Sequence, residues 1–226
     1  MQKFTHLFES TRKISLTGPN GENVYTVPFK YNAATPVPDG ITAELIDTPV
    51  DDTRGSGCFA DQWEGIDATG KIALVKRGVC AIADKLKLAR THGAIGVVLY
   101  NQVPGDITLA TLGAENIGQI VPVTPVKDEV GADYVKRLAA GEKLTVTILV
   151  DSITEDRDSW NIISETKEGD PNSVVMVGAH LDSVPAGPGV NDDGSGSAFL
   201  LTLMESLKKY KGYKNKVRFA WWGAEE

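Results

Sequence analysis

Three short runs hold side chains able to bind metal ions and use them. They are Ala179-His180-Leu181-Asp182-Ser183, Gly189-Val190-Asn191-Asp192-Asp193-Gly194 and the closing Trp221-Trp222-Gly223-Ala224-Glu225-Glu226. An imidazole with several carboxylates and no cysteine suits zinc or a similar divalent ion. A carboxylate can bridge two metals about 3.5 to 4 Å apart and hold a water between them, whose lowered pKa supplies hydroxide at neutral pH. A second carboxylate, not itself a ligand, then accepts the proton. Adjacent Glu225 and Glu226 fit that division of labour, one binding metal and one acting as base. Asp182, two residues beyond His180, is placed to hold the other imidazole N–H. Each residue alone has a plainer role: Asp193 or Ser195 as a helix cap, Asp182 bonding a turn backbone. The joint pattern is what points to a metal site.

The elements that must position these groups are strands and one helix. Val174–Val177 runs directly into His180 and Asp182, and Val217–Trp222 runs into the Glu pair. Asp192 and Asp193 precede a helix expected from about Ser195 to Tyr210. With Trp160–Ser164, the order is strand, strand, helix, strand. The runs are apolar on both faces, as in a sheet covered by helices. Ligands of open α/β sheets gather beyond the carboxyl ends of the strands, so three segments deliver their polar groups to one edge.

Upstream lies a different pattern. A short amphipathic start (Phe4, Leu7, Phe8) leads to a turn at Gly18-Pro19-Asn20-Gly21, and Val24–Tyr31 alternates like a strand. A Pro-rich stretch, residues 34–40, marks a boundary. Lys71–Val75, Ala94–Tyr100 and Leu144–Val150 read as strands, and 81–91 and 130–139 as helices. His92, beside the helix-ending Gly93, reads as a capping residue rather than a ligand. The expected division is 1–34, 35–150 and 151–226.

The chain has 226 residues, 42% hydrophobic and 23% charged, the composition of an ordinary globular protein. A net charge of -7 argues against nucleic acid or anionic membranes as partners. No run approaches a membrane span, and the N-terminus lacks the apolar core of a secretory signal. The two cysteines, Cys58 and Cys80, form no CxxC pair. They are either reduced core thiols or, in an oxidising compartment, a disulfide contributing roughly 3 kcal/mol.

The runs AHLDS, GVNDDGSG and WWGAEE resemble the zinc-dependent aminopeptidases of the aminopeptidase Y type, closest to the secreted fungal leucine aminopeptidases. The segment GKIALVKRGVCAIADKLKLARTHGAIGVVLYN resembles the protease-associated (PA) domain inserted in those enzymes. The resemblance implies an α/β fold: the N-terminal part of a zinc-exopeptidase α/β sandwich with an inserted α+β PA domain. It makes His180 a ligand of one zinc ion, Asp192 the bridging ligand of two, Glu226 a ligand of the other, Glu225 the general base and Asp182 the residue orienting His180. It further implies a cis peptide at Asp192-Asp193, a Cys58–Cys80 disulfide, secretion or vacuolar delivery, and peptide substrates with a free N-terminus. Two family ligands, an Asp and a His, lie downstream of the Glu pair. The expectation is therefore a fragment of a larger aminopeptidase, inactive alone. The alternatives are a non-catalytic binding module built on the PA domain, whose partner is unknown, or a related zinc hydrolase such as a carboxypeptidase or glutaminyl cyclase.

Overall fold

The computed structural model describes all 226 residues and divides into two compact units. The larger comprises residues 9–154, the smaller residues 1–8 with 155–226. Residues 9–34, expected with the N-terminal segment, belong to the larger unit because Leu16 and Phe29 are fully buried in its cores. Two long strands, β1 (Gln2–Thr17) and β7 (Thr145–Glu165), contribute residues to both units.

In the larger unit β2 (Asn23–Val24) pairs with the end of β1. Strands β3 (Ile41–Asp47), β4 (Ile72–Lys76), β5 (Gly96–Tyr100) and β6 (Val123–Val126) run parallel, and β7 joins β3 antiparallel. Their side chains alternate between two cores, as strand geometry requires. Ala73, Val75, Val97, Leu99 and Val123 face helix α1 (Ile82–Thr91) through Ala83, Leu86 and Ala89. Ile72, Leu74, Val98, Tyr100 and Val126 face helix α2 (Asp128–Ala139) through Tyr134. The apolar run of β5 is buried along its whole length, because helices cover both faces.

The segment Val24–Tyr31 departs from expectation. Only Asn23–Val24 is strand; Pro28 offers no ladder donor, and Tyr31 adopts φ 64°. His92 caps α1, donating its N–H to Leu88 O at 3.0 Å, and its ring stacks on Trp63. Gly93 follows at φ 89°, the left-handed conformation that ends helices. Cys58 and Cys80 form a disulfide that closes a separation of 22 residues.

Side chains substitute for strand partners at the sheet margins. The Asn32 amide donates to Val123 O at 2.8 Å and accepts from Val123 N–H at 3.1 Å. Thr35 N–H donates to Val150 O at 2.9 Å, and its hydroxyl accepts from Val150 N–H at 2.9 Å. Buried backbone groups without a neighbouring strand are thereby satisfied.

The smaller unit holds β8 (Asp170–His180), α3 (Gly194–Leu207) and β9 (Asn215–Trp222). Residues 2–8 of β1 lie next to the end of β7, β7 pairs antiparallel with β9, and β9 parallel with β8. Helix α3 covers one face through Leu200 against Ala179, Phe219 and Trp221. On the opposite face of β8, Val174 and Met176 remain exposed. The expected cover on both faces is present on one, and there it leaves Val175 exposed.

Lys85 is fully buried on α1, its ammonium donating to Ser56 O and lying 3.3 Å from Cys58 Sγ. Burial lowers its pKa to about 8 from 10.5. The folded state thus releases this proton before the unfolded state does, so stability rises with pH between those values. Between pH 7 and 9.5 the wild type should gain about 2 kcal/mol relative to Lys85→Met. Urea unfolding of both proteins across that range measures it; parallel pH profiles would refute the assignment.

Candidate metal centre

β8 and β9 end side by side, with His180 in register with Trp222. This brings His180 level with the turn that follows β9. There Ala224 adopts φ 59°, and Gly223 N–H is held by Asn161 Oδ1 at 3.1 Å, so the chain bends as it leaves the strand. One ligand atom each from His180, Glu225 and Glu226 then lie within 4.8 Å of one another. Asp192, on the loop before α3, places Oδ1 3.0 Å from His180 Nε2. The peptide between Asp192 and Asp193 is cis. His180, Asp192, Glu225 and Glu226 thus meet at one strand-end edge.

Asp182 joins this cluster in two ways. Its backbone carbonyl lies 2.9 Å from His180 Nδ1, while its carboxylate Oδ1 is 3.8 Å from the same nitrogen. The carboxylate accepts the N–H groups of Glu225 and Glu226 instead, at 3.1 and 3.0 Å. The ring is therefore oriented by the main chain of Asp182, and the side chain fixes the backbone of the Glu pair. Burial pushes the Asp182 carboxyl upward, but these two N–H donors more than offset it and hold its pKa below the usual range.

The donor set is electrostatically unbalanced. His180 is largely shielded, with 11% of its side chain exposed, whereas Asp192 is 82% exposed. Burial alone would depress the His180 pKa. The Asp182 carbonyl, the Asp192 carboxylate and the charge of Glu225 outweigh it and raise the value. No lysine or arginine forms an ion pair with Asp192, Glu225 or Glu226. One imidazole facing several carboxylates, with a surplus of negative charge, fits a divalent cation.

Ser197 and Asn161, which sequence reasoning did not single out, and Asp193, expected as a helix cap, complete the support. Ser197 Oγ donates to His180 O at 2.8 Å, and Asn161 holds Gly223 as described. Asp193 caps α3, accepting from Gly196 N–H at 3.0 Å, and its other oxygen accepts His180 N–H at 3.1 Å. A Cβ on Gly196 would lie 2.1 Å from Asp193 Oδ1, so the close approach of the cap requires glycine there. Serine four residues after a capping aspartate is too common to signal such a role.

Residues 161–226 match Peptidase family M28, and residues 41–134 match the PA domain. Over those spans the chain is similar to peptidase family M28 and to the PA domain. It is 42% identical to Leucine aminopeptidase 2 of Trichophyton equinum over 207 residues, covering 92% of this chain and 39% of that one. The fold is similar to the solved aminopeptidase from Aneurinibacillus sp. strain AM-1 (TM-score 0.70, 31% identity, 99% of this chain and 52% of that one). It is also similar to a zinc aminopeptidase from Bacillus subtilis (TM-score 0.62, 29% identity, 99% and 52%). This chain therefore spans about two fifths of the curated relative and about half of the solved chains.

Asp182→Ala should free the Glu225 and Glu226 amides and leave the strands intact. Amide hydrogen exchange at these two residues is expected to accelerate at least tenfold, with an unchanged far-UV spectrum. Protection equal to wild type would show that the turn holds itself.

Proposed function

We propose that this chain supplies His180, Asp192, Glu225 and Glu226 to the active site of a dinuclear zinc aminopeptidase that removes N-terminal residues from peptides. The observation that carries the reading is the convergence of those four side chains, from three separate segments, on one strand-end edge. Relatives named as leucine and zinc aminopeptidases support the reaction class.

In this reading His180, Asp192 and Glu226 would hold the zinc ions. Bound there, zinc would supply Lewis acidity toward the scissile carbonyl and a water of lowered pKa. Glu225 accepts that water's proton and returns it to the leaving amine. The Asp182 carbonyl keeps His180 Nδ1 protonated, leaving Nε2 free to ligate. The carboxylate of Asp182 holds the Glu pair so that both their side chains remain available.

Three ligands, His180, Asp192 and Glu226, are fewer than two zinc ions with open positions need, so this set is a partial one and the chain alone is inactive. Further ligands come from elsewhere in a longer protein, which the 39% span of its relative supports. The disulfide supports folding in an oxidising compartment, consistent with secretion or vacuolar delivery.

In the full-length protein, Glu225→Gln should lower kcat by about 10²- to 10⁴-fold with little change in KM and with zinc content retained. His180→Ala should lose zinc as well as activity. Turnover of a leucyl substrate by Glu225→Gln at near wild-type rate would sink the assignment of the base. Release of an N-terminal residue by the purified 226-residue chain would contradict the partial ligand set.

A further inference from the structure

His180 is the last residue of β8, and its backbone faces away from β9. The next residue, Leu181, donates its N–H toward β9, to Trp222 O at 2.8 Å. Backbone groups of successive residues point to opposite sides of a strand, so the N–H and C=O of His180 point to the side where β8 has no strand neighbour. Both are nonetheless paired. Asp193 Oδ2 accepts the N–H at 3.1 Å, and Ser197 Oγ donates to the C=O at 2.8 Å. Asp193 is the N-cap of α3 and Ser197 lies in its first turn, which is secured because Asp193 Oδ1 caps Gly196 N–H at 3.0 Å. Trp221 Nε1 donates to Ser197 O at 3.4 Å, tying that turn to β9.

We propose that Asp193 and Ser197 are positioning residues that clip both backbone groups of His180 on its open side, replacing a neighbouring strand and setting where its imidazole meets a metal ion. The proposal rests on the metal-site reading above. It assigns work to the second aspartate of the Asp192-Asp193 pair and to a serine that touches no ligand atom. With the ring held at Nδ1 by the Asp182 carbonyl, His180 is constrained at three points. One is the ring and two are the backbone, and the two backbone points move only with α3. Asp192 precedes the same turn, so the clip also links the position of one metal donor to that of another.

The test separates the two oxygens of Asp193. Asp193→Ser keeps a good helix cap but is too short to reach the His180 N–H. Ser197→Ala removes the other arm, and Ser197→Thr restores a hydroxyl. Zinc alone is titrated into the 226-residue chain against a chelating indicator, with helix content followed by circular dichroism. Asp193→Ser and Ser197→Ala should each weaken zinc binding about tenfold at unchanged helix content, and Ser197→Thr should recover most of it. Affinities within twofold of wild type for both variants, or a folded Ser197→Thr that recovers nothing, would overturn the clip. Should the wild-type chain, with its partial ligand set, bind no zinc, the zinc content of the full-length protein decides the metal-site reading, and His180 amide exchange in metal-free protein decides the clip independently. Faster exchange in Asp193→Ser supports it; exchange equal to wild type overturns it.

Discussion

The parallel register of β8 and β9 is the constraint on which the site depends. Val175 lies opposite Val217, and the ladder continues without a shift to His180 opposite Trp222. A slip of one residue would turn His180 to the other face of the sheet and bury Val174 and Met176 in place of Val177 and Ala179. The core that prevents the slip is small: Ala179, Leu200, Phe219 and Trp221, with Val177 and Val217 at its margin. Function and packing therefore rest on the same few side chains. Truncating Phe219 or Leu200 would loosen the strand pair that delivers the ligands.

Much of this geometry follows from sequence, because it depends on period and punctuation. The apolar runs of β4 and β5 lack a polar face, which places them within sheets from sequence alone. His180 and the Glu pair follow strand-like runs directly, so their convergence is a consequence of strand ends meeting. What could not be read is how each polar atom is shared. Asp182 sits two residues from His180, and the simplest expectation gives its carboxylate to the ring. The fold gives the ring its carbonyl and spends the carboxylate on the Glu225 and Glu226 amides. That partition depends on where β9 ends relative to β8, which is a tertiary fact. Lys85 escaped notice for a similar reason: its place in α1 is ordinary, and only the Ser56 loop folding over it makes it buried.

A common device recurs where strands lack neighbours. Asn32 pairs with both backbone groups of Val123, Thr35 with those of Val150, and Asp193 with Ser197 serve His180. Each spares the cost of an unpaired backbone group, about 1 to 3 kcal/mol when it is buried. Each also ends the ladder on that side, since a backbone group already paired to a side chain is closed to another strand. On β8 the effect is local. Val174 and Met176 stay exposed on the face that α3 does not cover, while the edge at His180 is sealed by the helix turn.

The two acidic pairs show how neighbouring residues of one type are driven to different work. Asp192 and Asp193 are adjacent, yet one faces the His180 ring and the other its backbone. Asp193 has two N–H donors, so its charge is spent within the fold. Asp192 has only an imidazole, and its side chain is open to solvent. Glu225 and Glu226 are held by their amides, which leaves both carboxylates unspent. The charges left over by the architecture therefore collect around His180 Nε2. The upward pull on the His180 pKa is the response of the one titratable cation available to that excess. A divalent ion would answer the same field more completely, since it offers two charges where a proton offers one.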